Sequence, residues 1–264
     1  MNNYDFVIMG GSGLVGNSFV NELNKRGAKV LSLTSQNFDL YSSKKISTNY
    51  FVNANGNSYR FKANKDPLWD FEKSVYSLAK SLKYFKSQKY IFFSSIDVYS
   101  DKSNPLNNHE DIIIDPTRLD HYGNNKFTAE NILKQYHQNY LILRLGSVVS
   151  NISQKGPFYD LSQNKLYINK KSYLSVIDIE NIHKAFFALQ DKEISNEIFN
   201  LTCSGNVFVK DIIEKYQLNI TKNSASNNAD VYEYNVSNKK ISKILKIQSS
   251  IDVAEKYFNL LKIR

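Results

Sequence analysis

The chain has 264 residues, 42% of them hydrophobic, enough for one sizeable core and a small second lobe. Its formal charge is +9, from 34 Lys+Arg against 25 Asp+Glu. The lysines are scattered and Arg26, Arg60, Arg118, Arg144 and Arg264 form no cluster, which argues against nucleic acid and leaves anionic small molecules as partners. No apolar run of about 18 residues is present, so no membrane partner is expected. The opening Met1-Asn2-Asn3-Tyr4-Asp5 does not read as a signal peptide. A lone Cys203 allows no internal disulfide, which fits a cytoplasmic setting.

Strand and helix signals alternate from the start. An apolar, β-branched run predicts a strand over 4–9, which leads straight into Gly10-Gly11-Ser12-Gly13-Leu14-Val15-Gly16. A helix pattern (Leu14, Val15, Phe19, Val20, Leu23) follows to residue 26, closed by Gly27. A glycine-rich turn between strand and helix suits a dinucleotide pyrophosphate: Gly10 for the bend, Gly13 for close backbone approach, Gly16 for helix–strand packing. Gly10, Ser12, Gly13, Leu14, Val15 and Gly16 are therefore candidate cofactor contacts. Further strands are predicted over 29–34, 50–53, 90–94 and 140–144, with helices over 67–84 and 120–138 and loops over 54–65 and 95–119. This βαβ rhythm implies an α/β fold with a doubly wound parallel sheet.

After Gly146 the pattern changes. Short strands are predicted near 166–168 and 173–176, then a helix over 178–189 with Asp178 as its N-cap. A strand over 197–201, a helix over 209–216, a polar loop around 224–228 and helices near 237–245 and 251–261 follow, and Cys203 reads as packing. On this reading 1–150, with 172–202 returning to it, form a dinucleotide-binding domain, and 151–171 with 203–264 form a small C-terminal substrate lobe.

Tyr122 and Lys126 are four apart at a helix start, so they share a helix face. A free phenol titrates near pH 10; a neighbouring ammonium and a positive nicotinamide ring would favour the phenolate, and bringing it near neutrality takes about 4 kcal/mol. Ser95, at the end of the strand over 90–94, is expected to face the crevice beyond the sheet. There a hydroxyl can donate to a carbonyl or alkoxide while the tyrosine handles the proton. With 18 tyrosines in the chain, the Tyr-x-x-x-Lys spacing taken alone is a surface pair arising by chance.

The segments work jointly. Gly10 to Gly16 fits GxxGxxG, Ser94-Ser95-Ile96-Asp97-Val98-Tyr99 fits S-S-x-x-V-Y, and Tyr122-Gly123-Asn124-Asn125-Lys126 fits Y-G-x-x-K. Residues 105–110 with Asp115-Pro116, Leu143-Arg144-Leu145-Gly146-Ser147, 173–182, Phe199-Asn200-Leu201 and Val236-Ser237-Asn238-Lys239 fit further landmarks. Nearly end to end, the chain resembles an extended short-chain dehydrogenase/reductase of the NAD-dependent epimerase/dehydratase type. The resemblance implies a Rossmann fold and NAD or NADP as cofactor. It implies Tyr122 as proton donor and acceptor, Lys126 as the cation that lowers its pKa and binds the nicotinamide ribose, and Ser95 as the group that polarises the reacting oxygen. Asp39, before Leu40, resembles the acid that meets the adenine; a helix N-cap near Ser42 is the equal reading. Asn53, Ala54 and Leu145 complete the candidate cofactor contacts, and the candidate substrate contacts are Asp97, His121 and Lys155.

The chain also departs from the family pattern. Leu33-Thr34-Ser35-Gln36 lacks the acid that binds a ribose diol, so Thr34 and Ser35 are read as contacts to a 2′-phosphate and the cofactor leans to NADP(H). The asparagine of the family's proton relay is replaced by Asp70 or Glu72. Asp97 stands where 4,6-dehydratases of the family carry a longer glutamate base, and Ile96 replaces the acid that often precedes it. His109, His137 and His183 show no metal-ligand spacing, so no metal is expected. The expected task is reduction of a keto group on a nucleotide-linked deoxysugar, for surface polysaccharide. A nucleotide-sugar 4-epimerase with tightly bound NAD and a non-catalytic nucleotide-binding scaffold are the alternatives, and a homodimer through the Tyr122 helix is common in the family.

Overall fold

The structure is a computed structural model that describes residues 2–220 and 229–262, so the loop expected around 224–228 lies outside the described residues. The chain divides into two compact units: Met1–Ser100, Ile113–Arg144 and Lys192–Ile198 form the first, and Asp101–Ile112, Leu145–Asp191 and Phe199–Arg264 the second. Of the stretch 172–202, expected to return to the first unit, only 192–198 does so.

In the first unit, β1 (Asn2–Met9) runs into the glycine turn and α1 (Leu14–Lys25) begins directly behind it. Next come β2 (Val30–Leu33), a short α2 (Phe38–Ser42) and β3 (Ile46–Asn53). Three short helices cover the sheet, α3 (Arg60–Lys65), α4 (Pro67–Phe71) and α5 (Ser77–Tyr84), with a π-helical turn Glu72–Tyr76 joining the last two. β4 (Phe85–Ser95) ends in a 3₁₀ turn, Ile96–Val98. After a second such turn, Pro116–Arg118, come α6 (His121–Tyr136) and β5 (Tyr140–Leu145).

The second unit carries β6 (Ser147–Val149), α7 (Pro157–Ser162), β7 (Tyr173–Leu174), β8 (Val176–Asp178) and α8 (Ile179–Asp191). Beyond β9 (Glu197–Leu201) lie β10 (Val207–Phe208), α9 (Val209–Lys215), α10 (Lys239–Ser242) and α11 (Ser250–Lys262). Asp178 caps α8 as expected, its Oδ1 accepting from Asn181 N at 2.9 Å. Cys203 is buried and unpaired, and burial pushes its thiol up to about 12, as a packing residue requires.

The central sheet runs β2-β1-β3-β4-β5-β9, the doubly wound order expected. Val7 pairs with Leu31 and Phe51 in parallel register, and Phe51 pairs with Tyr90. Parallel register brings the carboxyl ends of β1 to β4 (Met9, Leu33, Asn53 and Ser95) to one edge. Apolar side chains on both faces supply the burial that holds this layer together, with Val7, Leu31, Phe51, Leu78, Tyr90 and Ile142 in one core cluster. Phe51 and Tyr90 stack at 4.9 Å. The Tyr90 hydroxyl is satisfied by Asn53 Nδ2 at 2.8 Å and Ser81 Oγ at 2.7 Å.

Three expected elements differ. The stretch 54–65, read as loop, contains α3: Ala63 is buried, Lys62 sits over the Tyr59 and Trp69 rings, and Arg60 pairs with Asp120, 60 positions away. The strand expected at 166–168 is absent among the described residues; Leu166 and Ile168 are buried at alternate positions with no strand beside them. The strand expected at 173–176 is broken at Ser175 into β7, which pairs with β10, and β8, which pairs with β6. The Ser175 hydroxyl explains the break, donating to Tyr234 O at 2.9 Å and accepting from Val236 N at 3.1 Å.

A buried ion pair joins α6 to the sheet. Arg144 on β5 donates from Nε to Glu130 Oε1 at 3.0 Å and from Nη2 to Oε2 at 2.7 Å. Its Nη1 donates to the Tyr99 hydroxyl at 2.7 Å, and Ser94 Oγ donates to Glu130 Oε1 at 2.6 Å. Both charges are shut off from water, at 2% and 0% side-chain exposure. Replacing Arg144 by Met strands the Glu130 carboxylate in the core and should cost about 3–5 kcal/mol of unfolding free energy in a urea titration. A loss below ~1 kcal/mol would show that Glu130 does not depend on this partner.

Candidate active site

The turn after β1 is folded tightly on its neighbours. Gly10 has φ +81°, and a Cβ there would stand 2.7 Å from Ala54 O; one at Gly16 would stand 2.2 Å from Gly10 O. At Gly13 a Cβ meets, among the described residues, only Gly10 O at 3.3 Å. Gly13 is the N-cap of α1, with no side-chain cap and no acid in the first turn. An open backbone face at the positive end of a twelve-residue helix fits a dinucleotide diphosphate. Ser12 is exposed and Leu14 and Val15 are half-buried at the same place. Ala54 N donates to Met9 O at 2.9 Å, tying the end of β3 to the turn. The Asn53 side chain is committed to Tyr90 and to Asn55 N, so only its backbone remains for a ligand.

Ser95, Asp97, Tyr122 and Lys126 come together at the end of β4. The Ser95 hydroxyl donates to Asp97 Oδ2 at 3.2 Å and caps the 3₁₀ turn by accepting from Asp97 N at 3.1 Å. Burial pushes the Tyr122 phenol above its ordinary pKa, the Asp97 carboxylate raises it further, and the Ser95 hydroxyl opposes both. The protein's own groups therefore keep the phenol protonated, because desolvation outweighs the Ser95 hydrogen bond. Lys126 is 5% exposed, its Nζ 5.9 Å from the Tyr122 ring centroid and 5.4 Å from that of Phe92. Burial pulls this amine down to about 8, against the Asp70, Glu130 and Asp97 carboxylates that raise it.

The loop after β3 links the glycine turn to the lysine. A Cβ at Gly10 would lie 2.8 Å from Asn55 N, and one at Gly56 would lie 3.1 Å from Lys126 Nζ and 3.3 Å from Ser74 Oγ. Of the two acids weighed for the relay position, Glu72 is exposed and Asp70 is fully buried. Asp70 accepts from Asn125 Nδ2 at 2.7 Å and from Ser74 Oγ at 3.3 Å.

Two further contacts set the attitude of α6. Asp120 caps it, Oδ1 accepting from Gly123 N at 2.8 Å, and its Oδ2 pairs with Arg60 Nε of α3. Gly123 lies directly on the 3₁₀ turn, where a Cβ would come 2.2 Å from Asp97 O. Arg60, Ser74, Asn125 and Gly56 were not anticipated; nothing local in the chain marks their roles.

Other candidates lie apart from this cluster or show nothing that ties them to it. Asp39 sits in the first turn of α2 with its side chain 89% exposed, 3.5 Å from Lys80 Nζ; Leu40 is exposed beside it. Thr34 N donates to Asn37 Oδ1 at 2.8 Å and Thr34 Oγ1 accepts from Gln36 N at 3.3 Å; Ser35 is exposed. His121 is the exposed first residue of α6. In the second unit Leu145 is buried, and Lys155, its amine pulled down by burial, lines a small pocket with Ser150, Phe158 and Tyr257. Among the described residues no group of three or more His, Cys, Asp or Glu could hold a metal ion, and no helix is long and apolar enough to cross a membrane.

The model of the NAD dependent epimerase/dehydratase family matches residues 6–162. No curated protein matches the chain. Among solved structures, UDP-glucuronic acid 4-epimerase from Bacillus cereus, in complex with UDP-glucuronic acid and NAD, is 17% identical, with 99% of each chain covered and a TM-score of 0.78. A dTDP-4-dehydrorhamnose reductase from Clostridium acetobutylicum is 15% identical, with 99% of this chain and 100% of that one covered and a TM-score of 0.77. RMD from Pseudomonas aeruginosa, complexed with NADPH, is 15% identical, with 98% of each chain covered and a TM-score of 0.78.

A methyl group at position 123 must lift α6 off the Asp97 carbonyl. Gly123→Ala should therefore cost about 1–3 kcal/mol in a urea titration. Turnover should fall ~10- to 100-fold, since the phenol and amine ride on the displaced helix. Unchanged stability would mean that this contact does not hold the helix.

Proposed function

We propose, for a chain that belongs to the NAD dependent epimerase/dehydratase family, that it is a cytoplasmic NAD(P)H-dependent reductase acting on a keto group of a nucleotide-linked deoxysugar. The observation that carries this reading is the cluster of Ser95, Tyr122 and Lys126 at the end of β4, joined through residues 54–56 to the glycine turn. When bound, the dinucleotide supplies the hydride. The chain supplies position, charge and the proton.

The backbone from Gly10 to Gly16 would hold the diphosphate, and Lys126 the nicotinamide ribose. The Ser95 hydroxyl turns from Asp97 to donate a hydrogen bond to the carbonyl oxygen of the sugar. That bond strengthens as negative charge grows on the oxygen, which is where it lowers the barrier. The Tyr122 hydroxyl then gives up its proton to the same oxygen. Burial and Asp97 keep the phenol protonated, the form from which a reductive cycle starts. Lys126, close to the phenolate left behind, stabilises it until a proton returns from solvent. Lys155 is proposed to meet a phosphate of the substrate.

A panel of keto-sugar nucleotides, followed by loss of NAD(P)H absorbance, tests the reading. Net reduction consumes one equivalent of reduced cofactor per sugar; interconversion of sugars with no net consumption would make the protein a 4-epimerase. Tyr122→Phe should lower turnover by about 10²–10⁴-fold and leave dinucleotide affinity unchanged. Full activity in that variant removes Tyr122 as the proton donor. The proposed lean to NADP(H) predicts tighter binding of NADP than of NAD, and a strong preference for NAD reverses it.

A further inference from the structure

A buried carboxylate that the proposed chemistry does not use lies beside Lys126. Asp70 ends its side chain where no water reaches it, at 0% exposure. Both hydrogen-bond donors that the structure gives it are neutral, Asn125 Nδ2 at 2.7 Å and Ser74 Oγ at 3.3 Å. Neutral donors position a carboxylate but leave its charge uncompensated, and an isolated buried charge is costly. The Lys126 ammonium shares the neighbourhood: Ser74 Oγ, which donates to Asp70, and Lys126 Nζ stand within 3.3 Å and 3.1 Å of the same point above Gly56.

The architecture fixes Asp70 there. Asp66 caps α4 by accepting from Trp69 N at 3.0 Å, Pro67 opens the helix, and the π-helical turn starts two residues after Asp70. Asn125 lies between Tyr122 and Lys126 on α6, so its amide ties the carboxylate to the same helix turn that carries the amine.

We propose that Asp70 is the fixed counter-charge of Lys126, a positioning residue that keeps the ammonium charged and aimed at the space above Gly56, with Asn125 as the clamp on the carboxylate. The proposal rests on the reading of Lys126 as a member of the active site. The other charged or titratable groups facing Lys126 are Asp97 on the 3₁₀ turn and Glu130 and Tyr122 on its own helix. Glu130 is already neutralised by Arg144, and Asp70 is the carboxylate tied through Ser74 and Asn125 to the space above Gly56 where Lys126 Nζ stands. It is also the first among the charges that oppose the desolvation of Lys126.

The test follows the amine directly. Lysines labelled with ¹³C and ¹⁵N at Cε and Nζ are titrated by NMR, with the Lys126 signal assigned by its loss in Lys126→Arg. The native signal should titrate at about 8. In Asp70→Asn it should titrate about one pH unit lower or more, a tenfold rise in the ratio of deprotonated to protonated amine at any fixed pH. Asn125→Ala, which keeps the charge but frees the carboxylate, should move it the same way by less, and Asp70→Glu should bring it back toward the native value. The alkaline limb of kcat/KM against pH should move with the signal. Titration at the native value in Asp70→Asn overturns the proposal; if that variant does not fold, an unmoved signal in Asn125→Ala overturns it. The NMR arm reads Lys126 whether or not a keto sugar is turned over, so failure of the reductase reading and failure of this proposal give different results.

Discussion

The placement of the site depends on the pair formed by Glu130 and Arg144. Burying two charges costs several kcal/mol per ion, and the cost is recovered only when every donor and acceptor is met. Here Arg144 binds both Glu130 oxygens and the Tyr99 hydroxyl, and Ser94 supplies a further donor to Glu130. Such a set has one geometry, so α6 cannot rotate or slide on the sheet without breaking it. Lys126 lies one helical turn before Glu130 and Tyr122 lies two turns before it, while Ser94 adjoins Ser95 on β4. One buried pair thus fixes the helix that carries the phenol and amine relative to the strand that carries the serine.

The same burial governs the protonation of the site. It pushes the phenol up and the amine down, so each is driven toward its neutral form. The surrounding carboxylates act in one direction on both, raising the phenol and raising the amine. For Tyr122 they add to burial; for Lys126 they oppose it. The outcome is a phenol held as an acid beside an amine whose charge is finely balanced, and the carboxylates decide that balance. Removing carboxylates from such a site would make the phenol easier to ionise but would discharge the lysine that must receive it, so the acids serve the pair as a unit.

What could be read in the chain was whatever lies close in sequence. The glycine turn, the serine at the end of a strand and the Tyr122–Lys126 spacing are each complete within a few residues, and the alternation of strands with helices is a local periodicity. The partners that tune the site are distant: Asn125 reaches Asp70 over 55 positions and Arg60 reaches Asp120 over 60. A helical stripe continues through 67–84, so nothing in it announces the π-helical turn Glu72–Tyr76. The desolvation that raises the phenol and lowers the amine is likewise a property of the folded interior, and no spacing encodes it. Alternation misled at Leu166 and Ile168, which are buried without forming a strand, since a strand also needs a partner edge.

The serine, tyrosine and lysine serve reduction and epimerisation equally, since both move a proton between a phenol and a sugar oxygen. The two chemistries part over whether the dinucleotide leaves between turnovers, and that depends on the adenosine end. Here that end has few anchors. The tip of β2 carries no acid, Thr34 N donates to Asn37 Oδ1 within the turn that follows, Ser35 is exposed, and Asp39 and Leu40 stand in solvent. On the reading proposed above, an adenosine end held lightly would let the cofactor exchange between turnovers, which stoichiometric reduction needs and a closed epimerase cycle does not.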